Sequence, residues 1–322
     1  MSRDEACLTT GEFVQRHYTL SSFEPSIGRC ETEASEPSMS LLAHVERLNL
    51  HDPTRFLPFL VDGRRVGWVT PERCAVLAGH RDVFLVDAKH VALAPRWRTP
   101  QLRTAALQDI APDLAKSKLF LKPRGEMYAV KNTWDEPEVM RIDRALVPGF
   151  GVRAYGVHVN GFVRTSAGVS LWIATRALTN AVAPGKLDNM VAGGQPAGLG
   201  LIDNVIKECA EEAGLPADVA RTAKGVSTIS YRLDMPEGLK DDVLFCYDLE
   251  MPPGLEPINQ DGEVTRFDLV PVETALEWIG TSDRFKFNVG AVIIDFASRR
   301  GVLTERAEPR LPRLRALLGQ IS

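Results

Sequence analysis

The spacing of apolar positions changes several times along the chain, and each change predicts an element. After Ser40, residues Leu41, Leu42, Val45 and Leu48 recur at helical spacing, with the serine placed to cap the first turn. Residues 58–70 then set two apolar runs around Asp62-Gly63, which predicts a hairpin. Residues 71–78 read as a helix stopped by Gly79, 83–86 and 91–93 as short strands, 109–119 as a helix and 127–130 as a strand. From Phe150 the texture alternates, over 152–163 and 169–177, and Asn160-Gly161 is the expected turn. Ile202, Val205, Ile206, Cys209 and Ala213 form an i, i+3, i+4 core stripe that ends at Gly214 and Pro216. Strands are predicted at 227–233, 242–249 and 267–270. Helices are predicted at 219–223, 272–278 and 289–298, and through Leu311, Leu314 and Leu318. Strands interrupted by helices make the fold class α/β.

The 202–213 helix carries the chemistry. Opposite its apolar stripe stand Glu208, Glu211 and Glu212, spaced so that their oxygens converge on one patch of solvent. Like charges three and four residues apart repel, and a bound cation turns that cost into affinity. Oxygen ligands of this kind suit a hard ion, Mg²⁺ or Mn²⁺. Just before the helix, Gly193, Gly194, Gly198 and Gly200 permit a tight backbone path whose N–H groups face phosphate oxygens.

These residues resemble the Nudix box, GX5EX7REUXEEXGU with U aliphatic. Gly193 takes the first glycine, Lys207 the arginine and Glu208 the adjoining glutamate. Cys209 takes the aliphatic position, Glu211 and Glu212 the acidic pair, and Gly214 and Leu215 the end. Two positions depart from the pattern: Leu199 stands where the first glutamate belongs, and lysine replaces arginine at 207. Asp203, one turn later, is a partial substitute for the missing acid. The segments LWIATR, PGKLDNMVAGG, YDLEMP, DGEV and FKFNVGAVIIDF are similar to Nudix proteins described as thiamin pyrophosphokinase-related, which carry an N-terminal extension. That likeness covers Ser40 to Leu303.

The resemblance implies a Nudix α/β/α sandwich with a mixed sheet over 150–322, preceded by a small α+β domain over 39–149. It implies that Glu208 and Glu212 hold the metal. Glu211 is read as a third ligand and a catalytic residue, and Glu263 in DGEV as the further carboxylate that completes the site or activates water. Arg176 and Lys186 are candidate phosphate clamps, set against solvated loop charges. Asp188 is expected to brace its turn, and His158 and Cys209 to be structural. The implied reaction is hydrolysis of a small organic diphosphate, thiamin diphosphate or its oxidised derivatives, to the monophosphate and phosphate. The alternatives are a nucleoside diphosphate derivative as substrate, an isomerase on the same scaffold, and a non-catalytic ligand-binding domain.

Composition narrows the picture little further. The chain has 322 residues, 44% hydrophobic and 25% charged, with a net charge of −4 that leaves no electrostatic footprint for nucleic acid. No run approaches a membrane span. Five scattered cysteines fit reduced thiols and a cytoplasmic setting. Residues 1–38 are polar and aperiodic and read as disordered, with Met39 an alternative start. Trp68, Trp97 and Trp134 are expected in the core, the alternative being a ring-stacking wall for the substrate.

Overall fold

The computed structural model describes residues 40–319, and the expectation of disorder over 1–38 lies outside them. Helix α1 (Leu41–Arg47) begins where Ser40 Oγ accepts from Ala43 N at 3.2 Å. The hairpin of β1 (Leu57–Val61) and β2 (Arg64–Val69) turns at Asp62 and Gly63, whose φ of 50° and 75° are what a two-residue turn of this hand requires. With β3 (Phe84–Val86) and β4 (Val91–Leu93), these strands form a four-stranded sheet in the order β2-β1-β4-β3. Helices α2 (Pro71–Leu77) and α3 (Pro100–Lys116) contribute Leu77, Leu107 and Leu114 to the same core. Helix α3 starts nine residues before the predicted 109, because Thr99 caps Leu102 N and Pro100 occupies the first turn. A two-stranded ribbon of β5 (Met127–Val130) and β6 (Met140–Asp143) then leads through short α4 (Val147–Phe150) into the large sheet.

That sheet is mixed and seven-stranded. It comprises β7 (Arg153–Thr165), β8 (Gly168–Arg176), β9 (Leu187–Asn189), β10 (Val191–Gly194), β11 (Lys224–Met235), β12 (Gly238–Glu250) and β13 (Val264–Pro271). Strand β7 runs parallel to β12 and antiparallel to β8 and β10. On one face Phe162, Ile173, Tyr231 and Cys246 pack against α1, α7 (Val272–Thr281), α8 (Val289–Arg299) and α9 (Leu311–Gly319). On the other, Val157, Val159, Val191 and Leu249 pack against α5 (Leu201–Ala213) and α6 (Ala217–Ala220). The result is an α/β/α sandwich, because alternate residues of each strand face opposite layers of helix.

Asn160-Gly161 is not a turn. Strand β7 passes straight through it, and the chain reverses at Ser166-Ala167, where Thr165 pairs with Gly168. A polar network across the sheet uses Asn160, which bonds Asn189 at 2.9 Å and Asp248 at 3.2 Å. Gly161 leaves room for the buried Met190, whose Sδ lies 2.1 Å from where a Cβ would stand. None of the three tryptophans is fully buried: Trp68, Trp97 and Trp134 are each half-buried, and of them Trp97 packs against the core of the four-stranded sheet. Among the described residues, no helix is long and apolar enough to cross a membrane.

Candidate active site

Strand β10 and helix α5 build the centre of the site. Helix α5 starts at Gly200 and ends at Gly214, whose φ of 62° makes the left-handed stop. Val205, Cys209 and Ala213 are fully buried, but Ile202 is exposed and Ile206 only half-buried, so the core stripe is narrower than the sequence predicts. This rotation draws the acidic face down toward the sheet. Glu208 and Glu212 are each only 9% exposed, while Glu211 faces water, so the three do not share one solvent patch.

Each buried carboxylate meets β10. Glu212 Oε2 accepts from Ala192 N at 2.9 Å. Glu208 lies against Gly193 so closely that a Cβ there would be 2.2 Å from its Cδ. The glycine therefore serves space, not a phosphate loop: Gly193 and Gly194 belong to the strand, and only Gly198, with φ of 85°, needs glycine's backbone freedom. Burial raises the pKa of Glu208, partly offset by Lys207, and raises that of Glu212 well above the ordinary carboxylate range. Lys207 Nζ lies 2.6 Å from Glu211 Oε2 and 3.2 Å from Glu208 Oε1.

Among the described residues, no group of three or more His, Cys, Asp or Glu side chains is assembled to grip a metal ion. The donor set nonetheless fits a divalent cation. Two desolvated carboxylates one helical turn apart are hard oxygen donors, and a bound divalent ion would offset both their burial and their mutual repulsion. Glu208, Glu212 and, after release from Lys207, Glu211 are the residues that would hold it.

The predicted clamps lie in a second cluster. Arg176 N donates to Lys186 O at 3.0 Å, and Ala177 N to Glu263 O at 2.8 Å, so the backbone brings Arg176, Lys186 and Glu263 together. The two cationic side chains have other partners. Arg176 Nη1 pairs with Asp188 at 2.8 Å, Lys186 Nζ pairs with Asp283 at 2.7 Å, and the Glu263 side chain is exposed. Asp188 joins the clusters. It lies in strand β9 and not in a turn, accepts from Asn189 N at 2.9 Å, binds Lys286 at 3.1 Å, and adds its charge to the field at Glu212. Burial opposes ionisation of Asp188, but Lys286, His158 and Arg176 outweigh it and hold its pKa low.

Residues 126–144 also reach the site. Tyr128 Oη sits 1.6 Å from the place a Cβ on Gly194 would take. Glu126 and Arg144, paired at 2.8 Å, both act electrostatically on Glu208. Sequence reading missed Glu126, Tyr128, Arg144 and Lys286, because no local spacing links them to the box. His158 is buried and bonded to Asn189 at 2.8 Å, and Cys209 is buried with its thiol pushed up to about 12 by desolvation.

Known proteins resemble most of the chain. Residues 40–154 match the family model described as "Domain of unknown function (DUF4743)". "Nudix hydrolase 24, chloroplastic" of Arabidopsis thaliana is 36% identical over 285 residues, 87% of this chain and 78% of that one. "Nudix hydrolase 20, chloroplastic" of the same plant is 38% identical over 258 residues, 77% of this chain and 69% of that one. The crystal structure of DR0079 from Deinococcus radiodurans, 19% identical, matches 52% of this chain and 96% of its own with a TM-score of 0.39.

Proposed function

The chain belongs to the Nudix hydrolase family, and on that premise we propose that it cleaves the phosphoanhydride of a small organic diphosphate. The observation that carries this reading is the pair Glu208 and Glu212, buried against β10 with Gly193 opened to admit the first. Mg²⁺ or Mn²⁺, when bound, supplies the positive charge that polarises the phosphoryl oxygens and the attacking water. Glu208 and Glu212 bind that charge in a site where burial strengthens every electrostatic interaction. Glu211, exposed and paired with Lys207, is proposed to take a proton from water, and Glu263 is proposed as the further carboxylate. Arg176 and Lys186 are proposed to steady the terminal phosphate, Lys186 by exchanging Asp283 for phosphate oxygens.

Within that class we favour thiamin diphosphate and its oxidised forms, yielding the monophosphate and phosphate, on the strength of the subfamily segments. Leu199 supports a second reading, a domain that binds its ligand and turns it over slowly or not at all. Its side chain is half-buried and apolar where the box has a carboxylate. Cleavage would be measured with Mg²⁺ and with Mn²⁺, as phosphate released from thiamin diphosphate, its oxidised forms and nucleotides, and as the phosphomonoesters formed from ADP-ribose and NADH. Selective release from the thiamin compounds, lost in Glu212→Gln, is the expected result. Cleavage of ADP-ribose, NADH or nucleotides alone overturns the substrate, and no cleavage of any of them overturns the hydrolase.

A further inference from the structure

Between residues 127–138 and the segment 195–199 lies a cavity of about 200 Å³, separate from the box carboxylates. Tyr128, Lys131, Trp134, Glu138, Tyr155 and Leu199 are among its walls. Trp134 meets Tyr155 and Phe245 edge-on, with ring centroids 5.3 and 5.1 Å apart. Lys131 Nζ rests 3.7 Å above the Trp134 ring and 5.5 Å from that of Tyr155. The indole is thus half-buried with a charge on its face, an arrangement suited to a wall that receives something.

Two connections join this cavity to the site. Tyr128 places its hydroxyl over Gly194, the neighbour of the glycine that admits Glu208. Leu199 stands directly before α5, and its apolar side chain leaves that wall uncharged where a carboxylate would have repelled a bound diphosphate. At about 200 Å³ the cavity is smaller than the roughly 300–1,000 Å³ of sites that enclose a whole ligand. It has room for one ring system whose diphosphate extends toward α5.

We propose that this cavity binds the planar heteroaromatic half of the diphosphate substrate. The ring packs against Trp134 and Tyr155, Lys131 donates to acceptor atoms on its edge, and Glu138 accepts from its amino groups. The proposal rests on the hydrolase reading for its substrate class. It gives residues 127–138 a part in specificity, as the far wall of a site whose chemistry lies on α5.

The test uses monophosphates, which have no phosphoanhydride to cleave. Binding of thiamin monophosphate, AMP and isopentenyl monophosphate to the full chain is measured by calorimetry, beside Trp134→Ala, Trp134→Phe and Trp97→Ala. At least one ring compound is expected to bind about tenfold or more tighter than the ring-free one. Trp134→Ala should erase most of that ratio, Trp134→Phe keep it, and Trp97→Ala, whose ring lies outside the cavity, leave it alone. A ratio unchanged in Trp134→Ala, or lost equally in Trp97→Ala, overturns the proposal. Should the wild type cleave no diphosphate yet keep the ring-dependent ratio, the hydrolase reading fails and the cavity assignment stands. Cleavage of ring and ring-free diphosphates at equal kcat/KM has the opposite meaning.

Discussion

Burial raises the pKa of Glu212 well above the ordinary carboxylate range. Its carboxylate is buried, takes one N–H from Ala192 and has no cation in direct contact, so its ionised form is costly until a metal arrives. Glu212→Gln keeps the shape and an oxygen for Ala192 while removing the charge. Turnover should fall at least about 100-fold, and the melting temperature should hold or rise because a buried charge is gone. A variant that melts lower and turns over normally would remove Glu212 from the site. Gly193→Ala attacks the same centre from the other side. Its Cβ would stand 2.2 Å from Glu208 Cδ, so that carboxylate must move away. Metal affinity, read by calorimetric titration, should weaken about tenfold or more, with a stability loss of about 1–3 kcal/mol. Unaltered affinity would show that Glu208 binds elsewhere.

At the scale of elements, the local signals were legible and the long-range demands were not. The cap at Ser40, the Asp62-Gly63 turn and the glycine stop at Gly214 lie within a few residues of what they control, so the sequence displays them. The same holds for the order of residues on α5. Its rotation does not follow from that order, because it depends on how Val205, Cys209 and Ala213 fit beneath strands from three other segments. That rotation buries Glu208 and Glu212. Asn160-Gly161 misled for a related reason. The pair suits a two-residue turn, but its purpose is to bond Asn189 and Asp248 and to clear space for Met190. Gly161→Ala should therefore cost about 1–3 kcal/mol in urea unfolding, since Met190 is fully buried and has little room to retreat. Met190→Ala in the same chain should recover part of the loss, and an additive double mutant would refute the contact.

For the whole molecule, two histidines buried on the α8 side of the large sheet tie folding to pH. His44 of α1 lies under Gly290 of α8, and His158 of β7 is bonded to Asn189. Burial lowers both from 6.5 to about 4. The folded state thus keeps them neutral down to about 4, whereas the unfolded chain takes up its protons near 6.5. Their contribution is fully present above that upper value and is lost as pH falls through the window, at up to about 1.4 kcal/mol per pH unit for each histidine. Glu208 and Glu212 act with the opposite sign. Their raised folded values mean that the native state gains protons before the unfolded one, so acidification relieves their burial. The net slope of stability against pH mixes both effects, and a single substitution separates them. His158→Gln retains an amide for Asn189 but cannot titrate. Whatever it does to stability at neutral pH, it should remove about one proton from the difference between unfolded and folded states between pH 4.5 and 6. Denaturant melts across that range measure this slope directly. A slope unchanged by His158→Gln would mean that the folded protein already protonates this residue, and that the layer over the sheet admits water.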